Sequence, residues 1–393
     1  HPHPKHSFPT RRSSDLWTEL DVSGNKVRYT GLKAIQKQQE QQVSGTITPD
    51  VMQEALEASQ RVYRQYDASS INDIPVEVFY KELARYQPLV NNAKEAFADP
   101  KTGMAPGVMG LTAEDMQNFY SQLPKRLESV IRLEQSRKPG YEQAQAIAQK
   151  KFDAVQKPFT YSFGVSADAM DYQTLLSLLL TLLCAVIAAP VFASDAQTGA
   201  QDIQLCTKNG GLRLAAAKLA AAFSITGAAY LLCGVVWILV TNALFGWEST
   251  QTSVQCLFSV TSLLPYTVGQ MEWVMLVANF LIFFAEVAFV LMASVWAKNN
   301  LTALSVALIS VVAPLIVYMV VPGSFGEWLS TLIPAGGIGL SNALLYKMIS
   351  FDFLYAGGHA FFQADVLLAS APIKIVLLVG LAAWGYLRKT KVA

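Results

Sequence analysis

Five long apolar segments lie in the second half of the chain, and each contains at most one charged residue. They span about residues 172–193, 214–245, 273–297, 301–321 and 366–387. An α-helix rises ~1.5 Å per residue, so about 20 residues cross a hydrocarbon core of ~30 Å. Each segment is long enough to do so. We therefore expect residues 171–393 to form a polytopic membrane domain with five spanning helices.

Residues 17–170 show a different pattern, in which apolar residues recur every three or four positions among charged and glutamine residues. This spacing is typical of amphipathic helices, and strand alternation is hard to find. Thr48 before Pro49, and Thr112 with Asp115, are helix start signals. Pro124 is expected to kink or divide the helix after Thr112. The predicted fold class is thus an all-α membrane protein: a polytopic helical bundle with a mainly helical domain outside the bundle.

The stretch at 322–365, before the last apolar segment, is too apolar for a free loop. Its glycines and prolines also break it too often for one helix. Short helices that dip back into the membrane satisfy both facts, because irregular backbone at membrane depth is tolerated where protein buries it. We therefore predict an outer re-entrant region at 322–365.

Residues 1–16 stand apart from the rest of the chain. The string HSFPTRRSSDL at 6–16 looks like a translated sequencing adapter, and the first methionine is Met52. We expect residues 1–16 to be artefactual and exclude them from the fold. A genuine basic arm is the alternative. With the soluble domain outside the cytoplasm, one further span is expected before Trp17, which would make six in the intact protein.

Charge divides the chain in the same way as hydropathy. Residues 17–170 hold 18 Lys or Arg against 19 Asp or Glu, whereas 171–393 hold 9 of each. This balance gives no basic surface for nucleic acid. The four cysteines are 22, 27 and 23 residues apart, which matches no close metal-ligand pattern, so no metal site is expected.

The basic residues between the apolar segments predict the orientation. Seven fall on one side of the predicted membrane and two on the other. The first group is Lys208, Arg213, Lys218, Lys298, Arg388, Lys389 and Lys391, and the second is Lys347 and Lys374. Short cytoplasmic loops retain Lys and Arg. The C-terminus is therefore predicted to be cytoplasmic and the domain at 17–170 extracytoplasmic.

A set of residues after the first apolar segment resembles the ABC-2-type transporter permease family. The set comprises Phe192, Asp195, Gly199, Ile203, Leu205, Thr207, Gly210, Arg213 and Lys218. Asp195 stands where that family usually has Glu, Cys206 where it has Ser and Gly211 where it has Arg. The resemblance covers about residues 160–393, and the outer domain is only loosely similar to the branch of the family that exports peptides, lantibiotics or drugs.

The resemblance implies the permease subunit of a bacterial plasma-membrane exporter. It also implies that these nine residues form an ATPase-coupling loop. The implied partners are a cytosolic ATPase, a second identical or different permease, and membrane lipid. No cofactor is expected in this chain, because no Gly-Lys-Ser or Gly-Lys-Thr occurs and ATP would bind the partner. By residue pattern alone, the segment is amphipathic and could lie on the membrane face, or it is an ordinary basic loop.

Glu286 is an acid in the middle of the third apolar segment. An ionisable group there costs at least ~2.5 kcal/mol on insertion scales, so we expect it to face the bundle interior. A substrate route and a structural hydrogen bond remain equal alternatives for it. Lys374, near the outer end of the last segment, is expected to snorkel towards the interface.

Two other function classes compete with transport. One is a membrane sensor whose outer domain binds a ligand. The other is an anchored hydrolase, because Ser23 with Lys26, Ser70 with Asn72, and 101–103 follow the order of the serine penicillin-binding motifs. Their short intervals and helical surroundings disfavour the hydrolase, so we do not expect an enzyme.

Overall fold

The computed structural model describes residues 16–20, 25–41 and 43–390. The predicted artefact at 1–16 lies outside these ranges except for Leu16, which begins a strand. Within the described ranges the fold is mostly helical, as predicted, with little sheet.

The α-helices are numbered in chain order. They are α1 Leu32–Gln41, α2 Pro49–Gln65, α3 Val76–Val78, α4 Gln87–Ala96, α5 Ala113–Gln117, α6 Phe119–Gln135, α7 Tyr141–Asp153, α8 Ala167–Ala188, α9 Pro190–Thr198, α10 Ala200–Leu205, α11 Leu212–Phe245, α12 Val254–Leu257, α13 Val268–Trp296, α14 Asn300–Val320, α15 Gly323–Leu332, α16 Leu344–Ile349 and α17 Gln363–Thr390. The strands are β1 Leu16–Leu20, β2 Lys26–Thr30, β3 Gly45–Thr46, β4 Thr160–Tyr161, β5 Phe353–Ala356 and β6 His359–Phe362.

The strands form three antiparallel two-stranded sheets, which pair β1 with β2, β3 with β4, and β5 with β6. The sequence did not predict them. The β3 and β4 strands have two residues each, which is too short for an alternating pattern to register. The β5–β6 hairpin lies in the region where only short helices were expected.

The chain divides into two compact units. The first contains the described residues up to Ser136 together with Gln149–Ser166 and Thr241–Gln270. The second contains Arg137–Ala148, Ala167–Val240 and the chain from Met271 onwards. The connection between α11 and α13, residues 246–267, therefore belongs to the same unit as α2, α4 and α6.

The helix start signals in the first unit operate as the sequence indicated. The Thr48 hydroxyl caps α2 by accepting from Val51 N at 3.4 Å. Thr112 and Asp115 form a reciprocal capping box at α5. The break expected near Pro124 falls earlier, at Asn118, whose side-chain amide donates to the Glu114 carbonyl and closes α5. Pro124 lies inside α6 and does not divide it.

Tyr120 of α6 holds two distant segments of the first unit together. Its hydroxyl donates to the Ile47 carbonyl at 2.6 Å and accepts from Phe159 N at 2.9 Å. Its ring makes edge contacts with Phe119 and Phe159, both fully buried. Burial raises the pKa of the Tyr120 hydroxyl. The phenol thus stays neutral and satisfies backbone groups that would otherwise be buried without a bond.

The α11–α13 connection is hydrogen-bonded to the rest of the first unit. Ser253 N donates to the Thr160 carbonyl at 2.8 Å, and Thr252 Oγ1 donates to the Ser162 carbonyl at 2.7 Å. The Glu95 carboxylate of α4 accepts from Ser259 Oγ and Val260 N. These bonds fix the connection to α4 and to the chain at and just after β4.

Five helices in the described residues are long and apolar enough to cross a membrane, as predicted. They are Ala167–Thr198, which comprises α8 and α9, then α11, α13, α14 and α17. The most apolar window of α13 is 67% buried, against 17–39% for the other four. Helix α13 is thus the centre of the bundle, and α11, α14 and α17 leave most of their windows exposed.

The predicted re-entrant region contains α15, α16 and the β5–β6 hairpin. Trp328 Nε1 of α15 donates to the Tyr355 carbonyl of the hairpin at 3.0 Å. The hairpin also meets the start of α7, where Gln143 Oε1 accepts from Ala360 N at 3.0 Å. These contacts fold the region into a compact cap within the second unit. Its depth in the membrane stays a prediction.

The double hydrogen bond of Tyr120 yields a stability prediction. Tyr120→Phe keeps the ring but leaves the Ile47 carbonyl and the Phe159 amide buried without partners. Each orphaned group costs about 1–3 kcal/mol. We expect a lower thermal unfolding midpoint for the full chain in detergent, and faster amide exchange at Phe159. Tyr66→Phe, at an exposed tyrosine, is the control and should change neither quantity. Equal behaviour of the two variants would contradict the structural role of the Tyr120 hydroxyl.

Candidate functional site

The first spanning helix is interrupted just before the candidate coupling residues. Pro190 has no amide proton, so the helix breaks at Ala189 and restarts as α9. Ser294 of α13 fills the break: its hydroxyl accepts from Phe192 N and Ala193 N at 3.0 Å and donates to the Ala189 carbonyl at 2.6 Å. A side chain from the central helix therefore replaces the lost ladder bonds and fixes the direction of α9.

Asp195, Lys218 and Phe192 form the inner side of the candidate site. The Lys218 ammonium pairs with the Asp195 carboxylate and also donates to the Val191 carbonyl at 3.3 Å. It lies 5.5 Å from the centre of the Phe192 ring. The two charged side chains are about four-fifths buried, with 19% and 18% exposed. This pair ties α9 to the start of α11.

Tyr386 of α17 completes this inner side. Its ring centre is 5.5 Å from that of Phe192, and its hydroxyl donates to the Gly210 carbonyl at 3.2 Å. The last helix thereby contacts α9 and is bonded to the end of the α9–α11 connection, residues 199–211. Lys389 of the same helix donates to the Val295 carbonyl at 2.6 Å, at the end of α13.

Gly199 supplies the turn from α9 to α10. Its φ is +74°, in the left-handed region that glycine adopts at helix ends, and an added Cβ would meet no atom within 4 Å. A larger residue is therefore disfavoured by backbone strain and not by crowding. The turn sends α10 off the axis of α9.

Helix α10 presents an apolar side chain outwards. Ile203 is 74% exposed, Leu205 is half-buried, and Gln201 is buried on the opposite face. At this exposure the Ile203 side chain gives α10 an apolar outer face. The amphipathic pattern found in the sequence thus corresponds to one buried face and one exposed face of α10.

The loop from α10 to α11 is closed by local contacts. Thr207 Oγ1 donates to the Gln204 carbonyl at 2.7 Å, and a Cβ on Gly210 would lie 1.7 Å from that oxygen. Only glycine fits at position 210. Arg213 donates to Asn209 Oδ1 at 3.1 Å and is exposed, so it takes no part in the inner cluster.

The structure brings together three of the nine predicted residues, Phe192, Asp195 and Lys218, and adds Ser294 and Tyr386, which sequence reasoning missed. Ser294 carried one weak signal, because a lone hydroxyl near the end of an apolar span needs a backbone partner. No sequence signal marked Tyr386, because the end of its helix is rich in aromatic and basic residues. Gly199 and Gly210 shape the backbone, while Ile203, Leu205, Thr207 and Arg213 line the outer side.

Glu286 lies at the centre of the bundle, as expected. It is fully buried on α13, and Ser310 Oγ of α14 is bonded to its Oε1 atom. Lys374 differs from the expected snorkelling lysine. Its ammonium donates to the carbonyls of Thr331 and Ile333, at 3.0 and 3.2 Å, where α15 ends.

The described residues of the serine penicillin-binding motifs make hydrogen bonds within local turns. The Ser70 hydroxyl caps a turn by accepting from Asn72 N at 3.1 Å. Thr102 and Lys101 donate backbone hydrogen bonds to Asp99, and these bonds lower the pKa of the Asp99 carboxyl. Ser23 lies outside the described residues. In the described part of the chain no group of three or more His, Cys, Asp or Glu is placed to hold a metal.

Comparisons of the chain with protein-family models, with curated proteins and with solved structures find no match. The resemblance of residues 192–218 to ABC-2-type permeases therefore rests on the residues themselves.

The Ser294 contacts predict a large effect for a small substitution. Ser294→Ala removes one hydroxyl and leaves Phe192 N, Ala193 N and the Ala189 carbonyl without that partner. Each buried orphan costs about 1–3 kcal/mol. We expect a clear fall in the thermal unfolding midpoint of the detergent-solubilised chain. Ser370→Ala is the matched control, because that hydroxyl returns to the Leu367 carbonyl of its own helix. A Ser294→Ala midpoint no lower than that of the control would refute this role.

Proposed function

We propose that the chain is the permease subunit of an ATP-binding cassette exporter in the bacterial plasma membrane. It would move a peptide, lantibiotic, drug or lipid-like substrate, driven by a separate ATPase. The observation that carries the proposal is the segment formed by α9 and the α9–α11 connection. Bonds at Phe192, Asp195 and Gly210 fix this segment to α13, α11 and α17, while Ile203 projects from its outer face.

A coupling element must be bonded firmly to the membrane domain and must leave a surface exposed for its partner. The Ser294 bonds join α9 to α13, the Asp195 and Lys218 pair joins α9 to α11, and the Tyr386 hydroxyl joins the connection to α17. A displacement of α10 would therefore be transmitted to three spanning helices. Ile203 and Leu205 offer the apolar contact that an ATPase groove would take.

The contacts of the extramembrane segments support the proposed orientation. The outer domain is bonded to the α11–α13 connection, and residues at the start of α7 contact the α14–α17 connection. Because α11 crosses the membrane, the α9–α11 connection would lie on the opposite side. Gln197 Oε1 accepts from Asn300 N there at 3.0 Å, which places the α13–α14 turn beside α9. This side carries most of the basic residues and would be cytoplasmic.

The second permease would pair through the exposed sides of the bundle. Helices α11, α14 and α17 leave most of their apolar windows uncovered within the chain. Lipid and a second copy or homologous subunit would share these surfaces. The ATP would bind the ATPase subunit, and this chain would supply the route and the coupling.

Cysteine labelling tests the orientation with a natural reporter. Cys206 is exposed in the α9–α11 connection and would be retained after Cys184, Cys233 and Cys256 are replaced by alanine. A second protein would carry Arg61→Cys on the exposed face of α2 as its only cysteine. In intact cells an impermeant maleimide should label position 61 and spare Cys206, which should react only after lysis. Labelling of Cys206 in intact cells would invert the topology.

Substitution of Ile203 tests the coupling. Ile203→Asp should insert and fold normally because the side chain is exposed, but it should weaken co-purification with the ATPase encoded beside this gene. It places a charge in an apolar contact. Transport-linked ATP hydrolysis should fall at least tenfold at equal permease level, because about 1.4 kcal/mol of lost contact is a tenfold change in binding.

Two matched variants separate charge from apolar contact. Asn209→Asp adds the same charge to the same loop, and Ile203→Leu keeps the apolar surface; both should retain association and hydrolysis. If Ile203→Asp also retains them, α10 is not the coupling element. The absence of a neighbouring ATPase gene would instead favour a membrane sensor.

A further inference from the structure

One carboxylate oxygen of Glu286 has a hydrogen-bond partner and the other has none. Its side chain is fully buried, and Ser310 bonds to Oε1. In the described part of the chain Oε2 has no hydrogen-bond partner and no contact with solvent. A buried carboxylate normally fills both oxygens, because an unsatisfied buried polar atom costs free energy. The open oxygen therefore indicates a position for a further hydrogen atom or ligand.

Ser310 is able to serve either protonation state of this carboxyl group. Its Oγ atom is in bonding range of Glu286 Oε1 and also of the Ala307 carbonyl, at 2.8 Å. The hydroxyl has one proton and two lone pairs. When that proton points to Glu286, the acid is a carboxylate. When it points to Ala307, Ser310 accepts a hydrogen bond from a protonated carboxyl.

Lys374 of α17 is a second charged group within the bundle, and it is bonded to backbone. Its ammonium donates to the carbonyls of Thr331 and Ile333 at the end of α15. A helix carboxyl end carries partial negative charge, so it favours an ammonium independently of Glu286. Lys374 therefore stays in place whether Glu286 is charged or neutral.

The other ionisable groups on the elements around Glu286 are spread along those helices. Helix α14 has no Asp, Glu, His, Lys or Arg between Asn300 and Val320, and its tyrosine, Tyr318, lies near its end. The other elements carry Asp168, Asp171 and Cys184 of α8, Lys218, Tyr230 and Cys233 of α11, Glu272 of α13, Glu327 of α15, and Asp365, Lys374, Arg388 and Lys389 of α17. Tyr230 lies mid-helix, and its ring stacks on Phe283, one turn from Glu286, at 4.5 Å. Asp171 bonds to the Tyr346 hydroxyl at 2.7 Å, and Glu327 is partly exposed opposite Lys138.

We propose that Glu286 is a proton-binding site in the centre of the membrane domain, with Ser310 as the hydrogen-bond partner that adapts to both states. One proton taken from the aqueous phase converts the carboxylate to the acid, and the charge of Glu286 changes from −1 to zero. No other atom is exchanged.

A metal ion fits the position poorly. Na⁺, Mg²⁺ and Ca²⁺ take about six or more oxygen ligands, and Ca²⁺ or Mg²⁺ prefers carboxylates and carbonyls in numbers. Here the carbonyls of Thr331 and Ile333 are occupied by Lys374, which leaves one carboxylate and one hydroxyl. A proton needs only one oxygen and a hydrogen-bond acceptor, and both are present.

The test is infrared titration of the purified full-length chain in lipid nanodiscs. A protonated carboxyl has a C=O stretch that the carboxylate lacks, so its intensity counts bound protons directly. We expect a band that appears as pH falls, that is present in wild type and missing in Glu286→Gln. The amide is isosteric and should insert and melt as wild type does. Because no ATPase is required, failure of the exporter assignment would leave this result unaffected.

Three further variants make the outcome specific. Glu272→Gln removes the other buried acid of α13 and should leave the band intact. Ser310→Ala should shift the band frequency, because the acid loses its acceptor. Lys374→Met should also leave the band present, because the Lys374 ammonium is bonded to the carbonyls of Thr331 and Ile333. A wild-type spectrum identical to that of Glu286→Gln at every pH would overturn the proposal and leave Glu286 as a structural hydrogen-bond acceptor.

Discussion

The second unit is organised by the need to satisfy backbone polar groups where no water is available. In hydrocarbon an unpaired amide or carbonyl costs several kcal/mol, so every interruption of a spanning helix requires a partner. The break at Pro190 is filled by the hydroxyl of Ser294, and the end of α15 is filled by the ammonium of Lys374. Lys389 similarly covers a carbonyl at the end of α13. Polar side chains are placed in this bundle where the backbone requires them.

This requirement also explains the position of the candidate coupling site. The helix break at Pro190 changes the path of the chain, and Ser294 makes that change specific by bonding on both sides of it. The ion pair between Asp195 and Lys218 fixes the chain after the break to the start of α11. A connection that is held this firmly on one face can transmit force. The exposed Ile203 on its other face is the position where force would enter.

The sequence predicted the parts of the fold that depend on local pattern. Hydropathy located the five spanning helices, and capping residues such as Thr48 and Thr112 located helix starts, because both signals lie within one or two turns. The β1–β2 and β5–β6 hairpins, the β3–β4 pair and the break at Asn118 were missed. Strands of two to five residues carry little periodicity, and competing turn bonds are weak signals in a sequence. Pro124 was given too much weight: a proline inside a helix need not divide it when the flanking contacts hold.

The candidate site was predictable by segment but not by partner. The family resemblance grouped Phe192, Asp195, Gly199 and Lys218, yet the residues that fix this group lie on helices about one hundred or more positions later. Ser294 bonds across 102 residues and Tyr386 across 176. No local rule brings such residues together, because the pairing is decided by how the helices pack. The same limit applied to Lys374, whose position near a span end suggested snorkelling until the end of α15 was found beside it.

Buried polar atoms without a hydrogen-bond partner are therefore informative in this molecule. Most polar side chains within the bundle can be assigned to a backbone group or to each other, as the bonds of Ser294, Lys218 and Lys374 illustrate. The open oxygen of Glu286 lies on α13, the most buried helix, where it is costliest to keep. A glutamine or an alanine would fill this position at lower cost if structure alone determined it. An acid bonded to the adaptable Ser310 hydroxyl at this position is explained when the acid is required to exchange a proton.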